Sequence, residues 1–111
     1  GNFPLWLMPK QVIILCVSEK YKNYALKVLN FLENHEIRAH LDDRNETIGK
    51  KIRESEISKV PYMLILGEKE AQNETVSLRK HQKGDIGSFA IEIVVDQLKK
   101  EVKESQATFK V

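Results

Sequence analysis

The chain has 111 residues, enough for one domain with a core of its own. Hydrophobic residues make up 41% and charged residues 31%, the balance of an ordinary soluble protein, and the net charge of +2 is too small for a broad basic field. Its one cysteine, Cys16, excludes an intrachain disulfide, and the absence of a long apolar run or signal-peptide pattern gives no reason to expect membrane insertion or export.

Residues 1–11 carry Phe3, Pro4, Leu5, Trp6, Leu7, Met8 and Pro9. This stretch is apolar, proline-broken and aperiodic. It reads as a leading segment that leans on a missing neighbour or on the domain's own flank. Val12 to Val17 and Tyr62 to Leu66 are short, continuous apolar runs, as expected for central strands covered on both faces. Ile37 to Leu41 alternates, as does Thr75 to Arg79, where Val76 and Leu78 are expected to face the core.

Ala25, Val28, Leu29 and Leu32 recur at helical spacing, with Ser18 a candidate cap. A shorter helix is predicted from about Ile48 to Lys59, with Ile48 and Ile52 inward and Pro61 limiting its end. Ile91, Val94, Val95, Leu98 and Val102 mark a last helix entered after Ser88, and Glu104 to Val111 read as a polar tail. Helix-linked early strands imply parallel pairing. The link from Gly67 to Glu74 is too brief for a helical crossover, so the next strand is expected to run antiparallel. The expectation is a three-layer α/β/α domain with a mixed sheet over residues 12–103.

Asp42 to Glu54, D-D-R-N-E-T-I-G-K-K-I-R-E, leaves a strand and enters a helix. Ligands gather at the carboxyl ends of strands in open α/β sheets. One reading puts Asn45, Lys50, Lys51 and Arg53 near a phosphate or base; the other is a solvated loop and helix face. Gly67 to Glu70, G-E-K-E, sits near another strand end, with Arg79 on the neighbouring strand. Glu70 accepting and Arg79 donating match the edges of a guanine. The plainer reading is a mutual surface ion pair.

His35, His40 and His81 are too scattered for a metal site. Cys16 inside an apolar strand reads as core. Neither a phosphate-loop string, nor a Rossmann glycine pattern, nor a G-x-S-x-G elbow occurs. The chain is therefore expected to catalyse nothing by itself.

Several words, in order, resemble the C-terminal anticodon-binding domain of bacterial-type threonyl-tRNA synthetases. They are W-L-x-P-x-Q-V (Trp6 to Val12), D-D-R-N-E-x-I-G-x-K-I-R-E (Asp42 to Glu54), V-P-Y-M-L-I-L-G-E-K-E (Val60 to Glu70), T-V-S-L-R (Thr75 to Arg79) and D-I-G-S (Asp85 to Ser88). The resemblance covers roughly Leu5 to Val102. The central words are shared more loosely with prolyl-, histidyl- and glycyl-type domains, and a polymerase accessory protein or a protein-interaction module are the further alternatives.

The resemblance implies a five-stranded mixed sheet that grips the anticodon loop of tRNA(Thr), whose second and third anticodon bases are G and U. It implies that Glu70 and Arg79 bind the guanine and Asn45 the uracil, with Lys69 and Arg53 in support. It also implies a homodimeric, cytoplasmic full-length ligase whose missing catalytic body holds ATP, Mg and Zn. Three places depart from the family pattern. Thr47 stands where lysine is common. Lys80, His81 and Gln82 replace an arginine-rich run. Asn73 and Glu74 replace a glycine-bearing turn.

Overall fold

A computed structural model describes residues 5–109. Strands β1 (Val12–Cys16), β2 (Ala39–Asp42) and β3 (Tyr62–Leu66) alternate with helices α1 (Lys22–Asn34) and α2 (Ile48–Ile57). A short helix α3 (Glu68–Asn73) leads to β4 (Thr75–Lys80), β5 (Gly84–Ala90) and the long α4 (Ile91–Phe109). The five strands lie in the order β2-β1-β3-β4-β5. β1 pairs in parallel with β2 and β3, and β3, β4 and β5 pair antiparallel, so the sheet is mixed as expected.

The apolar runs of β1 and β3 are buried on both faces because helices cover both. Val12, Ile14, Leu64 and Leu66 join Val28 and Leu32 of α1 and Val94, Val95 and Leu98 of α4 in the larger core. Ile13, Leu15 and Met63 form a smaller cluster on the other face, against Ile48 and Ile52 of α2. Along β4, Val76 and Leu78 are buried, as the alternation required.

The link from Gly67 to Glu74 makes no crossover, as expected: it holds a short helix, α3, that reverses the chain into an antiparallel β4. Three local expectations need correction. Ser18 caps not α1 itself but a 3-10 turn, Glu19–Tyr21, that feeds into it. The last helix starts at Ile91, not just after Ser88, because β4 recruits residues through Ala90 into β5. That helix then runs to Phe109, through much of the stretch read as a polar tail.

The leading segment is fastened to the domain. Leu5 is buried in the larger core. The buried Gln11 amide donates to Leu5 O at 3.0 Å and accepts from Arg38 N at 2.8 Å. The Arg38 guanidinium donates to the carbonyls of Met8 at 2.9 Å and Trp6 at 2.6 Å. Phe3 and Pro4 lie outside the described residues, as do the last two residues of the tail.

Candidate nucleic-acid interface

The end of β2 is built around Asp42, which is 5% exposed. Arg44, two residues on, grips it with a guanidinium fork, Nε to Oδ1 at 2.9 Å and Nη2 to Oδ2 at 2.8 Å. Nη1 reaches Glu54 Oε2 on α2 at 3.0 Å. The Arg44 hydrogen bonds hold the Asp42 carboxyl below its ordinary range, against the opposing effect of burial. Thr47 caps α2 by accepting from Lys50 N at 3.3 Å. This clamp fixes both ends of the loop that carries the exposed Asn45.

The three basic residues proposed here part company. Lys50 pairs with Glu46 at 3.2 Å, one turn away. Lys51 is no surface group: it is 4% exposed, and its ammonium donates to Asp42 O at 3.0 Å. Arg53 is exposed on α2, beside Gly49, and has no ion-pair partner among the described residues. Nothing in the letter sequence separates Lys50 from Lys51; only the facing of α2 does.

Past β3, Glu70 Oε1 accepts from Gly67 N at 2.9 Å, closing the first turn of α3. Gly67 is tightly enclosed: a Cβ there would meet Glu70 Oε1 and Val17 Cγ2, each at 3.3 Å. One oxygen of the Glu70 carboxylate is thus tied down, and the other makes no hydrogen bond among the described residues. Lys69, beside it, is exposed.

Arg79 lies on β4 opposite Met63 of β3 and Asp85 of β5. Directly opposed residues share a face, so Arg79 is on the α2 side of the sheet, where α2 packs over β1 and β3. Its Nε is buried and has no hydrogen-bond partner among the described residues. The mutual ion pair with Glu70 does not form. The register explains why: Gly67 lies four residues beyond Met63 on the β3 chain, so the two backbone levels are roughly 13 Å apart. Glu70 and Arg79 thus stand at different heights along the β3–β4 hairpin.

The Lys80, His81 and Gln82 turn is engaged within the domain. Lys80 faces Glu101 at 3.7 Å and stands over the Tyr62 ring at 5.5 Å. His81 Nδ1 is 2.7 Å from Glu56 Oε2 on α2. His35 ends α1 and His40 is exposed on β2, and no group of three or more metal-binding side chains occurs among the described residues. Cys16 is partly buried against the larger core, and burial pushes its thiol pKa up, away from a nucleophile.

An open mixed sheet with polar groups gathered at its strand ends has the form of a binding module. Residues 11–101 match the model of the anticodon binding domain family, and the chain belongs to that family. Among individual proteins it is similar to the threonine–tRNA ligases. It is 55% identical to that of Flavobacterium johnsoniae, over 100% of this chain and 17% of the relative. It is 54% identical to that of Parabacteroides distasonis, over 94% of this chain and 16% of the relative. The crystal structure of the RNA binding domain of threonyl-tRNA synthetase from Cryptosporidium parvum Iowa II superposes with a TM-score of 0.84 at 33% identity, over 91% of this chain and 26% of that one. The chain thus spans about a sixth of the curated relatives it matches.

Proposed function

We propose that this chain reads the anticodon loop of tRNA(Thr) as the anticodon-binding part of a threonine–tRNA ligase. The observation that carries the reading is Arg79, a guanidinium on the α2 side of the sheet whose buried Nε has no hydrogen-bond partner among the described residues. A buried donor without an acceptor is costly, and a base edge offers acceptors. Anticodon-loop bases can be splayed out and read on their Watson–Crick edges. Glu70 and Arg79 take the guanine at the second anticodon position. Asn45 takes the uracil at the third. Lys69 and Arg53 support the loop through its phosphates.

Threonylation belongs to the catalytic portion of such a ligase, which also holds ATP, Mg and Zn. That enzyme acts in the cytoplasm as a homodimer. No helix among the described residues is long and apolar enough to cross a membrane. The test is binding of this chain to anticodon stem-loop RNAs differing only at the second anticodon base. Preference for guanine over adenine is expected. Equal affinity for both, and for an unrelated hairpin, refutes the reading.

A further inference from the structure

A cavity of about 350 Å³ opens at the carboxyl ends of β1 and β2, between Ser18 and Asn45. Lys51 lines it, 4% exposed, with a single hydrogen bond from its ammonium, to Asp42 O at 3.0 Å. An ammonium carries three donors. Two therefore have no acceptor among the described residues and are available to a group that enters the cavity.

The rest of the lining says which kind of acceptor. Glu19, Asp42, Asp43 and Glu46 bring four carboxylates, against the cations Lys22, Arg44 and Lys51. Two of those cations are engaged, Arg44 by Asp42 and Lys22 with Asp43 at 3.7 Å. Their carboxylate partners are engaged with them, and Glu46 pairs with Lys50 at 3.2 Å, so Glu19 faces Lys51 as the unpaired carboxylate among the described lining residues and a phosphate finds no net positive charge here. A neutral group that accepts a hydrogen bond needs none. Asn45, on the same rim, adds an amide that both donates and accepts.

We propose that Lys51 is a specificity-determining residue for the third anticodon base. Its ammonium donates to O4 of a uracil that enters the cavity Watson–Crick edge first, beside Asn45. This inference rests on the anticodon-loop reading above. Cytosine carries an amino group in place of O4, so a donor would face a donor and cytosine is rejected.

The experiment titrates the chain with three stem-loops, carrying uracil, cytosine or pyrimidin-2-one at the third anticodon position. Pyrimidin-2-one has hydrogen in place of O4 and an unprotonated N3, so it differs from cytosine only in lacking the amino group. The wild-type chain is expected to bind the second and third RNAs about 10- to 100-fold more weakly, the scale of one hydrogen bond to a charged group. Lys51→Met keeps an unbranched stem without the ammonium. It is expected to lose this discrimination while retaining its preference for guanine over adenine at the second position. A Lys51→Met chain that prefers uracil as strongly as wild type overturns the inference. So does a wild-type chain that binds pyrimidin-2-one as tightly as uracil, a result that needs no folded variant. A wild-type chain with no preference at the second position refutes the anticodon-loop reading itself, and this inference with it.

Discussion

Arg44 and Asp42 are joined by two parallel hydrogen bonds, at 2.9 and 2.8 Å, across a single intervening residue. The Asp42 pKa is lowered chiefly by these bonds. A carboxyl depressed in the folded state stabilises the fold above its unfolded pKa, near 4. That stability is lost as pH falls through the folded value. Thermal unfolding of the wild-type chain between about pH 6 and pH 3 should therefore steepen on the acid side. Asp42→Asn should be less stable at neutral pH and show a shallower acid loss. Identical acid slopes for the two chains would mean that the fork contributes nothing to the fold.

Tyr62, 3% exposed on β3, donates its hydroxyl hydrogen to Glu101 of α4. Burial, and then Glu101, push its pKa upward, so the protonated phenol is the form that holds the helix. Tyr62→Phe leaves the ring in place and removes the bond. Glu101 keeps Lys80 at 3.7 Å and Gln97 Nε2 at 3.4 Å, which limits the damage. A loss of about 1 kcal/mol is expected, the ordinary net worth of a hydrogen bond. In urea the midpoint should fall by roughly 0.5–1 M. An unchanged midpoint would show that the core alone anchors α4.

Glu74 ends α3 in the left-handed region, φ 54 and ψ 42. Glycine occupies this conformation without steric cost, whereas an L side chain is strained in it. Glu74→Gly should stabilise the chain by about 1 kcal/mol, less the extra freedom that glycine adds to the unfolded state. A melting temperature raised by a few degrees is expected. No rise, or a fall, would show that the Glu74 side chain makes up for its backbone strain.

Hydrophobic pattern made much of this architecture legible. Val12 to Cys16 and Tyr62 to Leu66 are strands because nothing but a covered sheet interior accommodates such runs, and Val76 and Leu78 betray β4 by alternation. β5 is legible from the chain order only as the unbounded second member of a hairpin-like strand pair with β4. Gly84, Asp85, Gly87 and Ser88 carry no strand signal of their own, and the segment is extended because β4 offers it an edge, with an irregular register between Leu78 and Arg79. The site divides the same way. Asn45, Arg53, Lys69, Glu70 and Arg79 stand out as words, but partnership does not. That Arg44 is consumed by Asp42 and Glu54, that Lys50 is paired, and that Lys51 is buried follow from how α2 sits over the sheet.

The geometry of Glu70 sharpens the test of its role. Truncation to alanine would remove both the carboxylate and the bond that closes α3 on Gly67, so any loss of RNA binding would be ambiguous. Glu70→Gln keeps a carbonyl oxygen able to accept from Gly67 N while removing the charge. Electrostatics alone predicts that losing a carboxylate tightens binding to a polyanion. Base reading predicts the opposite for the correct RNA, because one oxygen of Glu70 remains to accept from a guanine N–H. The expected result is weaker binding to the guanine-bearing stem-loop with little change for adenine, so that the preference collapses. Arg79→Ala should cost about 1–3 kcal/mol against guanine, the scale of a good bidentate base contact. The comparison is made at several salt concentrations, because a lost phosphate contact lowers the salt dependence and a lost base contact does not. If Glu70→Gln binds both RNAs more tightly and keeps the guanine preference, Glu70 is only the cap of α3, and the guanine is read elsewhere.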